Sequence, residues 1–183
     1  MEKKPFSFRS FTVFLIIGIF IIIVLVISCD KIVKLTKERR LNKRIANAEK
    51  SIKDNPANYE AYRELGRAYA AKGLNEKAVL AYNKAVKINP EKDTDEDLHY
   101  RLATQYGANG DSDNMVLEFK KVIAINPKHA KAYNYLCEYY CVTKQYDLAK
   151  QYCDKAVELG YGVDPFYLER VEAGLKAKEA SAQ

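Results

Sequence analysis

The stretch that decides the fold is residues 59–90, YEAYRELGRAYAAKGLNEKAVLAYNKAVKINP. Apolar and aromatic side chains recur in it every three or four residues, which predicts an amphipathic helix over 59–71 and a second one over 75–88. Gly73 interrupts the pattern between the two helices, and Pro90 ends the second helix. The stretch therefore predicts one helix–turn–helix unit.

The small residues of this unit have a packing role. Gly66, Ala78 and Ala85 lie where the paired helices must approach closely, and aromatic side chains fill the space beside them. Related units follow twice along the chain. In the first unit the recurring positions are Tyr62, Leu65, Gly66, Tyr69, Ala78, Tyr82, Ala85 and Pro90. In the second they are His99, Leu102, Ala103, Tyr106, Gly110, Met115, Phe119, Val122 and Pro127. In the third they are Tyr133, Leu136, Cys137, Tyr140, Ala149, Cys153 and Ala156.

This spacing resembles the tetratricopeptide repeat (TPR), whose pattern is W-x2-L-G-x2-Y…A-x3-F…A…P. The resemblance covers residues 59–161, with repeats over 59–92, 96–129 and 130–161. It departs from the pattern at three extra residues, 93–95, at His99 and Met115, and at the third repeat, which ends in 160–162 without a proline. The resemblance implies an all-α solenoid in which the first helix of each pair lines a concave face.

Both ends of the array are predicted to be capped by helices. Residues 30–58 read as a basic helix whose apolar stripe forms a half-repeat against the first helix of repeat one. That stripe is Leu41, Ile45, Ala48 and Ile52. A last helix over 164–179 closes the other end. Its predicted buried side is Phe166, Val171 and Leu175.

The N-terminus reads as a membrane segment. A basic leader, residues 1–10, precedes residues 11–29, which carry no charged side chain. Nineteen helical residues span about 28 Å, close to the thickness of the bilayer hydrocarbon. One interpretation is an uncleaved single span, with the repeats in the cytoplasm because the following flank is the more basic one. The other is a bacterial lipoprotein signal, in which Val26-Ile27-Ser28-Cys29 resembles a lipobox and Cys29 is lipidated. The span is slightly favoured.

The charge distribution argues against nucleic acid as a partner. The net charge is +6, but residues 1–54 hold 12 Lys and Arg against 5 Asp and Glu. Residues 55–183 therefore hold 18 against 19 and have no basic excess. A nucleic-acid-binding repeat domain needs a basic face of its own.

The concave face offers candidate contacts for a protein or peptide. The resemblance places the second, fifth, ninth and twelfth residues of each unit there. The predicted groove contacts are Arg63, Arg67, Tyr100, Thr104, Asn134 and Glu138. Arg63 and Arg67, one helical turn apart, could hold a carboxylate as in TPR domains that bind acidic peptide tails, although Glu138 would oppose it. Alternatively, both arginines belong to an exposed helix face that is held by pairs with Glu60 and Glu64.

No pattern of catalytic, cofactor-binding or metal-binding residues stands out, so no enzyme activity, cofactor or metal is expected. Cys137, Cys141 and Cys153 lie in repeat three. They are interpreted as buried thiols, with a Cys137–Cys153 disulfide as an alternative suited to an exported domain. A further functional hypothesis, besides a scaffold and a lipoprotein, is a metal site or an enzyme built on these thiols.

The sequence thus predicts a membrane-anchored, single-pass TPR scaffold that recruits a protein through its concave groove. The alternative is a bacterial TPR lipoprotein that acts as an accessory in envelope assembly, pilus biogenesis or transport.

Overall fold

The computed structural model describes residues 8–89 and 94–181, and within its first helix the side chains of residue 26 and residues 30–54. These parts of the chain form eight α-helices and no strand. The helices are α1 (Phe8–Asp54), α2 (Tyr59–Ala71), α3 (Asn75–Ile88), α4 (Glu96–Ala108), α5 (Ser112–Ile125), α6 (Ala130–Val142), α7 (Tyr146–Glu158) and α8 (Pro165–Ser181). Helices α2 to α7 pair as α2–α3, α4–α5 and α6–α7, as the repeat pattern predicts.

Helix α1 is a single helix, whereas the sequence was divided into a leader, an apolar segment and a separate basic helix. It runs unbroken from Phe8 to Asp54 because no proline lies within it and its one glycine, Gly18, does not end it. The predicted membrane segment, 11–29, lies outside the described side chains except at Val26. Within the described side chains, no helix is long and apolar enough to cross a bilayer.

The C-terminal part of α1 caps the repeats through its apolar stripe. Leu41 and Ala48 are buried, and Ala48 packs in one cluster with Leu65 of α2 and Ala81 of α3. Ile45 and Ile52 are half-buried against the same cluster. The predicted half-repeat stripe is therefore the surface that α1 presents to repeat one.

Side-chain caps mark where the first helices of repeats one and two begin. Asp95 accepts a hydrogen bond from the Leu98 backbone N–H at 3.0 Å and starts α4. Asn58 starts α2 in the same way, accepting from Ala61 N. Gly73 follows α2 with a φ of 73°, a backbone conformation that suits glycine in a tight turn.

Helix α8 closes the array, but one of its predicted core residues was wrong. Val171 is buried and Leu175 is half-buried, whereas Phe166 is 55% exposed. Phe166 lies in the first turn of α8, where its ring contacts Tyr167 and Arg170 of the same helix. Tyr167 and Leu168 pack against the core instead.

Candidate functional site

The candidate site is the strip of side chains along the first helices α2, α4 and α6, called here the inner strip. Side-chain contacts between successive first helices place these residues beside one another. The inner strip comprises Glu60, Arg63, Arg67, Ala70, Asp97, Tyr100, Thr104, Gly107, Lys131, Asn134, Glu138 and Cys141.

Arg63 joins repeat one to the start of repeat two. Its Nη1 lies 3.1 Å from Asp95 Oδ2, and its Nε lies 3.1 Å from Glu60 Oε2. Asp95 also accepts a hydrogen bond from the Tyr59 hydroxyl. The Arg63 side chain is only 21% exposed. This guanidinium therefore helps to hold α2 against the beginning of α4.

Arg67 is bound in a similar way. It donates to Asp97 Oδ2 of α4 and, at 2.8 Å, to Glu64 Oε1 of its own helix. Burial alone would raise the pKa of the Asp97 carboxyl, but hydrogen bonds from Arg101 and Arg67 hold it below its usual value. Both arginines pair with a glutamate of their own helix, but their side chains are only 21% and 24% exposed and also bind Asp95 and Asp97, so they do not form an exposed helix face. Whether either also contacts a partner stays a prediction.

Tyr100 belongs to an aromatic group at the boundary of repeats two and three. Its ring lies 5.0 Å from that of His129, 5.9 Å from that of Phe119 and 6.2 Å from that of Tyr135. Burial and a hydrogen bond with Tyr135 raise its pKa to about 12. Tyr135 stacks on Phe119 at 4.7 Å and stays 37% exposed. Tyr100 is thus half-buried between repeats, while Tyr135 offers ring surface to solvent.

The remaining predicted contacts lie in two neighbouring helices. Thr104 is half-buried on α4 and donates to the Arg101 carbonyl. Asn134 is buried on α6 and donates to Glu138 Oε1, and its own Oδ1 accepts no hydrogen bond among the described residues. Glu138 is half-buried, and Lys131 at the start of the same helix is exposed. These side chains leave polar surface available on repeats two and three.

The cysteines of repeat three are joined covalently. Cys137 of α6 and Cys153 of α7 form a disulfide, with Cα atoms 4.9 Å apart. The Cys137–Cys153 disulfide, predicted as an alternative, is therefore present. The prediction that all three cysteines are free thiols was wrong. Cys141 alone remains a free, buried thiol. Because two of the three sulfurs are bonded to each other, neither serves as a thiolate ligand, and no group of three metal-binding side chains occurs within the described ranges.

Sequence reasoning missed a buried polar pair inside repeat two. His99 Nδ1 lies 2.5 Å from Glu118 Oε2, and Lys121 Nζ lies 2.9 Å from Glu118 Oε1. Burial alone would raise the pKa of Glu118, but these two partners hold it below its usual value. Two departures from the repeat pattern could have revealed the pair. Histidine replaces an aromatic residue on α4, and a glutamate precedes Phe119 on α5.

Comparison with known proteins supports the repeat assignment. Two family models described as tetratricopeptide repeat match residues 45–93 and 96–129. Residues 45–129 thus carry tetratricopeptide repeats, and the first match includes the C-terminal part of α1. A comparison with curated proteins found no match.

Among solved structures, several MamA proteins have similar folds. One MamA crystal structure is 27% identical, with a TM-score of 0.61, and the alignment covers 66% of this chain and 68% of that one. A second is 21% identical, with a TM-score of 0.62 and coverages of 81% and 88%. A double mutant of MamA RS-1 is 17% identical, with a TM-score of 0.61 and coverages of 69% and 69%. Together the repeats and these neighbours support a protein–protein interaction scaffold.

Proposed function

We propose that this chain is a membrane-tethered scaffold that captures a protein or peptide partner on its inner strip. The supporting observation is the arrangement of that strip, in which side chains of successive first helices contact each other, as Arg67 with Asp97 and Tyr100 with Tyr135. Thr104, Lys131 and Glu138 leave polar groups exposed or half-exposed along it. An extended peptide or a partner helix fits such a surface through side chains spaced along its length.

The charges on the strip indicate what kind of partner it accepts. Arg63 and Arg67 are each bound to carboxylates of α4, so an acidic peptide tail would have to displace Asp95 and Asp97. Farther along, Glu138 adds another carboxylate. A partner with hydroxyl, amide or basic side chains opposite repeats two and three therefore fits better than a run of carboxylates.

A pair of matched double variants tests the inner strip. Thr104→Arg with Glu138→Lys adds bulk and reverses charge on the strip. Gln151→Arg with Glu169→Lys makes the same chemical changes at exposed positions of α7 and α8. In pull-downs from the native host, the strip variant should lose partners that the control variant and the wild type retain. Equal capture by both variants, with unchanged helical melts, would place binding elsewhere.

The tether rests on the sequence of residues 11–29, nineteen residues without a charged side chain. Holding the repeats at a membrane raises the effective concentration of any partner at the same surface, so a weak contact can suffice. Sedimentation of native membranes, with alkaline carbonate washing, tests this point. The protein should stay in the washed membrane pellet, and its release by carbonate would argue against an integral anchor.

A specific observation favours the exported lipoprotein as the second candidate. The Cys137–Cys153 disulfide suits an oxidising compartment, because cytosolic thiols are kept reduced. In this form Cys29 would carry the lipid, and the repeats would work as an accessory in envelope assembly, pilus biogenesis or transport. Intact mass separates the candidates, since the lipoprotein loses residues 1–28 and gains lipid on Cys29. An uncleaved chain of 20.9 kDa would exclude it.

A further inference from the structure

A hollow lined by lysines lies where α1 meets the turn after α2. Its volume is about 240 Å³. The lining residues are Lys34, Lys37, Glu38, Leu41, Ala71 and Lys72. Three ammonium groups face one carboxylate, so the hollow carries two net positive charges. Like charges held close together repel each other, and an anion bound among them relieves that repulsion.

Helix geometry brings the three lysines together. Leu41 is buried against the repeats, and Lys34 and Lys37 precede it by seven and four residues, on the same side of α1. Lys72 comes from the C-terminal end of α2, where its Nζ donates to Asn42 Oδ1 at 2.7 Å. Lys34 and Lys37 form no ion pair within the described part of the chain, so their charges are available to a ligand.

The positions of Lys34 and Lys37 along α1 indicate the source of the anion. The helix is unbroken from residue 8 to residue 54, so Lys34 and Lys37 lie about 8 and 12 Å beyond Cys29 along its axis. The headgroup layer extends roughly 5–8 Å beyond the hydrocarbon on each side. Lysine stems are long and flexible enough to bring their ammonium groups back into that layer.

The intervening stretch also fits the edge of a membrane. Ile32, Val33 and Leu35 are each more than half exposed, although all three are large apolar residues. The folded repeats leave these side chains in contact with the surroundings. Exposed apolar side chains interleaved with lysines are typical of a peptide segment that lies at the boundary between acyl chains and headgroups.

We propose that the hollow of Lys34, Lys37 and Lys72 binds the phosphate of an anionic phospholipid headgroup. The bound lipid would link α1 to the start of repeat one and fix the orientation of the repeats on the membrane surface. The inference rests on the proposed tether and adds a chemical partner to it. It holds for either form of the anchor, because both place residue 29 at the membrane.

Lipid titration of the full-length protein tests the site. The protein is purified in detergent, and bound palmitoyl-oleoyl phosphatidylglycerol or phosphatidylcholine is counted by native mass spectrometry. The hollow variant is Lys34→Gln, Lys37→Gln, Lys72→Gln. Each lysine near an anionic lipid contributes about a fivefold gain in affinity, so this variant should bind phosphatidylglycerol about 100-fold more weakly. Binding of phosphatidylcholine should not change.

The same helix supplies the matched control. Arg39→Gln, Arg40→Gln, Lys43→Gln removes three exposed charges from the other side of α1 and should lower the affinity only a few-fold. Glu38→Gln removes the opposing carboxylate and should tighten phosphatidylglycerol binding about fivefold, a gain that misfolding cannot produce.

Four results would overturn the proposal in distinguishable ways. Equal losses in the two triple variants would mean diffuse attraction to anionic lipid and no site. Displacement of the lipid by millimolar inorganic phosphate would reassign the hollow to a soluble anion. A wild-type protein that fails to insert into vesicles of either lipid would remove the tether as well, whereas insertion without selectivity would remove only the lipid site.

Discussion

Repeats one and three hold their two helices together at equivalent positions but by different contacts. In repeat one, Gly66 and Tyr82 face each other, and a Cβ atom added at Gly66 would lie 2.5 Å from the Tyr82 ring. In repeat three the equivalent positions, also sixteen residues apart, are Cys137 and Cys153, and they are bonded. One pair is held by shape complementarity and the other by a covalent link. A repeat pattern therefore specifies where two helices meet and leaves open what joins them.

The largest expected effect comes from removing the ring in repeat one. Tyr82 is fully buried, so Tyr82→Ala should cost about 3–5 kcal/mol in free energy of unfolding through the cavity that it leaves. Urea unfolding followed by circular dichroism measures the loss. Leu80→Ala on the same helix is the control, because Leu80 is 71% exposed and should cost less than about 0.5 kcal/mol. Similar losses of unfolding free energy for the two variants would show that the buried Tyr82 ring does not stabilise repeat one by its packing.

Reduction should affect repeat three alone. The disulfide closes a loop of sixteen residues, for which the chain-entropy model gives about 3 kcal/mol of stabilisation. Amide hydrogen exchange should show faster exchange in α6 and α7 after the addition of a reductant, with α2 and α3 unchanged. A double variant, Cys137→Ala with Cys153→Ala, should not respond to the reductant. Faster amide exchange in α2 and α3 after the addition of reductant would contradict this difference between repeats one and three.

A smaller loss of stability is expected from a substitution at Gly66. Gly66→Ala should destabilise by about 1–3 kcal/mol because the Tyr82 ring must move, partly offset by the higher helix propensity of alanine. The double-mutant cycle with Tyr82→Ala isolates the clash. In the Tyr82→Ala background the cost should disappear, and a cost that persists there would point to strain in the backbone of α2.

The smallest expected effect is on the stability of the fold at acidic pH. The pKa values of Glu64, between α1 and α2, and of Asp95 and Asp97, at the boundary of repeats one and two, are lowered in the folded state because arginine or tyrosine hydrogen bonds outweigh the effect of burial. A carboxyl with a lowered folded pKa stabilises the fold above its unfolded pKa near 4, and this contribution is lost as the pH falls through the folded value.

Asp97→Asn should therefore flatten the fall in melting temperature between pH 5 and pH 3. The change corresponds to less than about 1 kcal/mol, because Asp97 is partly exposed. Asp154→Asn is a control in repeat three, where the ion pair with Lys150 is exposed on both sides. A pH profile that Asp97→Asn leaves unchanged would mean that the arginine network does not contribute to acid stability.

The helices of the repeats were predictable because local signals fix them. Gly73 adopts a positive φ in the turn after α2, and Asp95 begins α4 as a cap. The contacts between repeats were harder to foresee. The pairing of Arg63 with Asp95 joins residues 32 positions apart, and it depends on how two units stack, which no single repeat encodes.

The ends of the array illustrate the same limit. Phe166 was predicted on the buried side of α8, but in the first turn of that helix it is 55% exposed and its ring contacts Tyr167 of the same helix. The lysine hollow combines residues 34, 37 and 72 from two helices, and only the packing of α1 on α2 brings them together. Periodicity predicts the apolar face of a helix far better than it predicts partners from another helix.

Photo-crosslinking in native membranes tests the central claim, a tethered scaffold with a working inner strip, most directly. A photoreactive amino acid is placed at Thr104 on the inner strip or at Gln151 on the surface of α7. The account predicts a discrete crosslinked partner from position 104, in the membrane fraction only, and none from position 151. Crosslinks from position 151 alone, or a crosslinked complex recovered in the soluble fraction, would contradict it.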